Sequence, residues 1–320
     1  MPLTYGLCYS ISMPAFLERY RSDEYVEVWD QLVALGEDVR RGPYYSDAVA
    51  VAAETMRRAR HNVELLIPRL EEADYCFIPP TKQYELEALK KQANPSDPEM
   101  LAAVRKNLER FVRKGWQSAS KLDPEVIAAR RAASAAKFAE RKAALEAELE
   151  IFRSKPPLQN PEVFDPPGKE TAKWLKKLEK SAGGPMPISL RAWFEQVGGV
   201  ALLGSHDLLN PKENATADPL VVTSPRHLLE MVDAEEAADG MALWIAPDDL
   251  HKANISGGDP YSITIPNACA DAEFEFEWHQ TTFVKYLRKA FEWGGFPGWE
   301  RDKNPPTEAI VKLTEGFLPL

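Results

Sequence analysis

The chain has 320 residues, enough for two ordinary domains or for one domain with a large helical extension. Hydrophobic residues make up 44% and charged residues 28%, the composition of a globular protein with a buried core. The formal net charge of −10 argues against nucleic acid, whose affinity rests on neutralised phosphates, and against an anionic membrane surface.

The opening stretch MPLTYGLCYSISMPAFLERYR has no basic n-region and no continuous apolar h-region, so no signal peptide is expected. No apolar run approaches the ~20 residues of a spanning helix. Cys8, Cys76 and Cys269 are far apart and odd in number, the pattern of free thiols in a reducing compartment. A cytoplasmic location is the expectation.

Residues 14–41 read as a helix, with Phe16, Leu17, Tyr20, Val28, Leu32 and Leu35 at near-helical spacing and Gly42-Pro43 as its stop. A second helix follows from an N-cap at Ser46 or Asp47, with Val49, Ala53, Met56, Ala59 or Arg60, Val63, Leu66 and Leu70 on its apolar stripe. Pro68 lacks a backbone donor and is expected to kink or end it. Asp74–Pro80 reads as a short strand or extended exit.

Residues 97–153 are rich in Ala, Glu, Lys and Arg, with few large apolar residues. A long, partly exposed helix or a helical hairpin fits, and a regular coiled coil does not, because no heptad of large residues persists. The stretch SKPPLQNPEVFDPPGKE from Ser154 to Glu170 is proline-rich and reads as a domain boundary.

Beyond it the periodicity changes. ETAKWLKKLEKSAG and Leu190–Val197 read as helices ended by glycine pairs. The runs VALLG, DPLVVTS, MALWIAP and YSITIP read as strands. Ala272–Trp278 (AEFEFEW) alternates with period two, so Phe274, Phe276 and Trp278 are expected on the core face, with Glu273, Glu275 and Glu277 outside. TTFVKYLRKAFEWGGF closes the domain as a helix. The fold class is α+β, and the expected division is a helical N-terminal region (1–96), an Ala/Glu/Lys/Arg-rich helical segment (97–153), a proline-rich linker (154–170) and an α+β domain (171–320).

The chemistry-bearing motifs are few. There is no P-loop, no G-x-G-x-x-G, no G-x-S-x-G elbow and no H-E-x-x-H, and the five histidines are well separated. A metal or catalytic cluster would have to be assembled by the fold, and neither a metal nor a cofactor is expected. The polar groups best suited to acid/base work are His206-Asp207, and Asp248-Asp249 before His251. The bland reading makes these loop and cap residues. Residues 185–320 hold ten Lys and Arg against 21 Asp and Glu, a local balance of −11. An acidic face steers basic partners. Glu273, Glu275 and Glu277 are candidate binding residues on that account. Trp293 and Trp299, which flank Gly294-Gly295-Phe296-Pro297-Gly298, are candidate interface anchors.

The second half resembles the SUKH superfamily, which joins bacterial immunity proteins to fungal cell-wall-synthesis regulators. The likeness is carried by PMPISLRAWFEQVGGVALLG, DPLVV, ALWIAPDDLHKANISGGDPYSITIP and TFVKYLRKAFEWGGFPG, over residues 170–300. Pro187, Leu190, Trp193, Phe194, Gly198 and Gly199 match the family's opening pattern of a proline, a short helix and a glycine pair. The helix AETMRRARHNVELLIPRL looks like an upstream helix of some bacterial members. The resemblance implies a mostly antiparallel, curved sheet against flanking helices, used as a binding scaffold. It implies no catalytic residues and, for immunity members, a toxin as partner. Two classes of function follow. One is a non-catalytic protein-binding scaffold, either an immunity protein against a basic toxin or a regulatory adaptor. The other is a hydrolase using Asp248, Asp249 and His251.

Overall fold

The structure is a computed structural model that describes residues 15–79, 124–211, 216–232, 240–255 and 257–320. The chain divides into two compact units, one made of residues 1–77 with 161–320 and the other of residues 78–160.

The discontinuous unit begins with α1 (Phe16–Arg21) and α2 (Tyr25–Ala34), followed by a 3-10 turn over Gly36–Arg40. The single helix expected over 14–41 is therefore broken. Asp23 takes a left-handed φ of 72° between α1 and α2, a conformation that short polar side chains tolerate better than most. Asp47 works elsewhere than expected. The next helix, α3 (Tyr44–Glu72), starts ahead of it. Its carboxylate instead accepts the backbone N–H groups of Phe16 (2.7 Å) and Leu17 (3.2 Å), capping α1 from a distance in sequence. α3 runs through Pro68 to Glu72, so the missing donor removes a bond without ending the helix.

α3 is the central support. Its buried face, Val51, Met56, Ala59, Val63, Leu66 and Leu70 among others, recurs at i, i+3, i+4 and i+7. Beyond β1 (Cys76–Phe77) the unit resumes at β2 (Phe164–Asp165) and continues with α5 (Thr171–Ser181) and α6 (Ile188–Gln196), which packs along α3.

The run VALLG, read as one strand, is split between β3 (Gly199–Ala201) and β4 (Gly204–Ser205), and the other three runs hold β5 (Val221–Val222), β6 (Met241–Ala246) and β7 (Tyr261–Ile265). All described pairings are antiparallel, in three small ladders: β1 with β4, β2-β3-β5, and β6 with β7. The fold is α+β. Val200 lies opposite Phe164 on one side and Val222 on the other. Gly198, with a φ of 91°, lets β2 and β3 approach, because a Cβ there would sit 2.1 Å from the Asp165 carbonyl oxygen. Helices α7 (Pro225–Met231), α8 (Asp249–Lys252), α9 (Phe283–Glu292) and α10 (Thr307–Thr314) complete the unit, with a 3-10 turn over Pro297–Arg301.

The C-terminal segment docks on α3 through polar clamps. The fully buried Asn62 side chain donates to the Leu318 carbonyl (2.9 Å) and accepts from the Leu318 N–H (2.7 Å). Arg69 donates to the carbonyls of Leu313 and Glu315.

The expected division is accordingly redrawn. The N-terminal helices share a core with the α+β segment rather than forming a region of their own, because the buried face of α3 is covered by α6, α10 and the C-terminus. The proline-rich stretch contains the change of unit, at Asn160/Pro161.

The other unit contains α4 (Pro124–Arg153) and a 3-10 turn over Pro157–Gln159. Phe138 packs on the buried Leu145 and Leu149, and most other described side chains of α4 are exposed. Asn160 donates to the Phe152 carbonyl and folds the exit of the helix back on itself. Residues 80–123, which include all of the Ala/Glu/Lys/Arg-rich segment before Pro124, lie outside the described residues. So does Cys8, while Cys76 is exposed and Cys269 half-buried as free thiols.

Candidate interaction surface

The alternation expected over Glu273–Trp278 holds for only three residues. Glu273 is exposed, Phe274 is buried and Glu275 is half-buried. At Phe276 the backbone turns left-handed, with a φ of 65°, and the ring is 63% exposed. Everything after it is inverted, so Glu277 is buried and Trp278 half-buried. Isolated bridges replace a regular strand: Ser262 opposite Glu275, and Glu273 opposite Thr282. The chain turns back within a few residues, where Phe274 N–H donates to the Thr281 carbonyl and Gln280 N–H to the Glu277 carbonyl. A period-two pattern cannot survive such a reversal.

The three glutamates thus have different lives. Glu273 is free to meet solvent. Glu275 accepts from the hydroxyls of Ser262 (3.1 Å) and Thr264 (2.9 Å). Glu277 accepts from the backbone N–H of His279 (2.9 Å) and from its Nδ1. On the other side of that ring, Nε2 meets Glu300 at 2.9 Å, and Glu300 also accepts from Lys289 at 2.8 Å. Burial disfavours the charged imidazole, but the bonds and charges of Glu277 and Glu300 outweigh it and hold the His279 pKa above its ordinary value. Glu300 is shifted the opposite way: burial pushes its pKa up, and Lys289 and His279 more than offset this.

The two tryptophans read as anchors also part company. Trp299 is buried, and its Nε1 donates to the Leu209 carbonyl at 2.8 Å, so it secures the 3-10 turn to the core rather than standing exposed. Gly298 beside it would place a Cβ 1.7 Å from the Thr216 carbonyl oxygen, which is why the turn can press so close. Trp293 is half-buried.

The acid/base candidates are largely occupied by local structure. Asp248 N-caps α8, accepting from His251 N–H at 2.6 Å, and the same oxygen meets His251 Nδ1 at 2.9 Å. Asp249 accepts from Arg301 at 2.9 Å. His206 Nδ1 accepts from the N–H groups of Leu208 and Leu209, both at 3.1 Å. That nitrogen is therefore engaged by its own loop. His206 and Asp207 line a concavity of about 390 Å³ with Asp74, Cys76 and Ser205. Among the described residues, no group of three or more His, Cys, Asp or Glu side chains is placed to hold a metal ion.

Sequence reading missed a buried charge pair. Lys252 donates to Asp218 at 2.6 Å, both side chains fully buried, and the Tyr261 hydroxyl reaches the other Asp218 oxygen at 3.3 Å. Burial, and then the Asp218 charge, push the Tyr261 hydroxyl pKa far up. These residues are distant in sequence, and no local pattern announces their meeting.

The apolar surface lies on β6. Met241, Leu243 and Ile245 point to the core, whereas Ala242 and Trp244 point outward, and Trp244 is 54% exposed. Trp244 lies opposite Ser262, which is itself opposite Glu275, so the indole, two hydroxyls and a carboxylate share one face. Beside it a groove of about 450 Å³ is lined by Leu228, Met231, Val232, Met241, Leu243 and Trp244. On the β5 side Thr223 N–H donates to the Ile245 carbonyl, but among the described residues no further backbone bond covers Met241–Trp244 there. The sequence did carry this signal, since in MALWIA the tryptophan falls out of phase with the three large aliphatics.

No protein-family model, curated protein or solved structure matches this chain. Its fold and surface define an α+β protein with antiparallel ladders, an outward tryptophan and an adjoining apolar groove. Among the described residues, no helix is long and apolar enough to cross a membrane.

Proposed function

We propose that this chain is a non-catalytic, cytoplasmic protein-binding scaffold, SUKH-like in the sense of the resemblance in its second half. The observation that carries the reading is the exposed Trp244 beside the groove and the stretch Met241–Trp244 of β6, whose β5-side edge no further backbone bond covers among the described residues. Tryptophan and methionine are enriched at interfaces, and an uncovered strand edge offers backbone donors and acceptors to a partner segment. The balance of −11 over residues 185–320 favours a basic partner, and a basic toxin neutralised by an immunity protein is its most specific form. Glu273 and Glu275 lie on or beside this face and are the glutamates able to contribute. Glu277 is committed to His279. A regulatory adaptor would use the same surface. The Asp248–His251 pair, with its half-exposed imidazole, is the observation that favours a hydrolase. It ranks second because the same Asp248 oxygen caps α8.

The test is affinity capture from host cells followed by rebinding of each purified candidate. Trp244→Ala, at an exposed site, should leave thermal unfolding unchanged and weaken a true partner by at least about thirtyfold, the loss of an interface hot spot. Partners that bind the variant as well as the parent would remove this surface from consideration. Turnover of generic ester or phosphodiester substrates, abolished by His251→Ala, would favour the hydrolase.

A further inference from the structure

Helix α5 presents a lysine-rich face on which, among the described residues, Lys173 alone makes a salt bridge. Thr171, Leu175 and Leu178 are buried and anchor it. Its other side exposes Lys173, Lys176, Lys177 and Lys180, and Lys169, two residues before the helix, is exposed as well. They surround a shallow basin of about 480 Å³ that also takes in Ala172. Lys173 pairs with Glu170 at 2.6 Å in full solvent. Among the described residues no salt bridge is made by Lys169, Lys176, Lys177 or Lys180. Like charges three and four residues apart on a helix are mutually destabilising. The ridge therefore weakens its own helix, in a chain whose net charge is −10.

We infer that the lysine ridge of α5 is an interaction surface for an acidic polypeptide segment, one carrying several Asp or Glu side chains along a length of about 16 Å, the span of eleven helical residues. Charge complementarity sets the sign of the partner, and the footprint sets its class. The ridge is one helix face wide, matched to a single strand or helix, whereas duplex binding commonly buries about 1,000–2,500 Å² of protein. The one aromatic ring of α5, Trp174, is half-buried rather than an exposed platform on which an unpaired base could stack. Leu175 and Leu178 are buried in the unit, so α5 has no apolar face to lay into a bilayer. The inference stands independently of the Trp244 groove.

The experiment uses the full chain and a fluorescein-labelled oligoglutamate peptide of about twelve residues, read by fluorescence anisotropy at low salt, where exposed charges are least screened. The triple variant Lys176→Glu/Lys177→Glu/Lys180→Glu should bind at least about tenfold more weakly than the parent. The control Arg21→Glu/Arg41→Glu/Lys303→Glu changes net charge equally elsewhere and should stay within about threefold. Equal unfolding temperatures establish that both remain folded, and Lys→Gln at the same three ridge positions serves if the reversals unfold α5. Three results would overturn the inference: no peptide binding by the parent, equal losses in both triple variants, or tighter binding of a short DNA duplex or of phosphatidylserine vesicles than of the peptide.

Discussion

The buried carboxylate of Glu277 and the imidazole of His279, two residues apart, face each other at the start of a chain that continues through Nε2 to Glu300 and on to Lys289. A neutral imidazole has one N–H, and both ring nitrogens here face carboxylates. The arrangement is complete only when His279 is protonated. It joins the 277–280 turn to the Pro297–Arg301 turn, where Arg301 stacks over Trp278 at 4.6 Å.

The pH dependence of stability follows from that geometry. The folded-state pKa of His279 lies above its ordinary 6.5, so its contribution is complete below about pH 6.5 and fades as pH rises through the folded value. Glu300 has a lowered pKa, so its contribution is present above its ordinary 4.5 and is lost as pH falls through the folded value. Urea unfolding of the parent and of His279→Gln across that range should show the gap between them narrowing on the alkaline side. A gap independent of pH would mean that the His279 pKa is the same in the folded and unfolded chain.

The inversion at Phe276 reverses the ranking that simple alternation suggests for the aromatic residues. Phe274 is buried among Tyr261, Phe283 and Tyr286. Phe274→Ala should cost about 3–5 kcal/mol in denaturant unfolding, as for other buried aromatics. Phe276→Ala should stay within about 0.5 kcal/mol, as for a surface site. Phe276→Asn, which tolerates the left-handed φ better, should be neutral or stabilising. Equal costs at 274 and 276 would place both rings inside.

The buried pair of Lys252 and Asp218 should show strong coupling. Lys252→Met leaves a carboxylate in the core without its counter-charge and should cost about 3–5 kcal/mol. Lys252→Met with Asp218→Asn should cost less than the sum of the single changes, since neither charge is then stranded. Additive losses in the double-mutant cycle would mean that the pair is hydrated in solution.

The discontinuous unit makes a claim about truncation. Residues 161–320 expressed alone lack α3 and should show no cooperative unfolding transition. Replacing 78–160 with a short Gly/Ser linker should preserve one, because the buried face of α3 and the Asn62 clamp on Leu318 are then kept. A stable, cooperatively unfolding 161–320 fragment would show that the N-terminal helices are dispensable to the core.

Local pattern was sufficient for much of this fold. The 3.6-residue stripes that became α3, α5, α6 and α9, the glycine stops, and the four apolar runs that became β3 to β7 each depend on neighbours a few residues away. Their residue types constrain the backbone before any tertiary contact forms. Breaks in pattern were harder to read. Asp23 and Phe276 are left-handed in the fold, and nothing in FEFEW marks the third residue as a turning point, because a phenylalanine with positive φ is held there by the pairing around it.

The candidate surface divides the same way. The outward phase of Trp244 is written in MALWIA, and the acidic balance and the lysines of α5 are visible in composition and spacing. Burial of Glu277 and Trp299, the meeting of Lys252 with Asp218, and the capping of α1 by Asp47 were settled by tertiary structure. Each joins groups brought together by the packing of separate segments, or by the turn at Phe276, which local periodicity does not encode. The sequence by itself determined which helices and strands could form and the charge they carry. Only the tertiary structure decided which polar side chains face inward, because the burial of a carboxylate or an indole N–H depends on the partners that the fold supplies, as His279 does for Glu277 and Leu209 for Trp299.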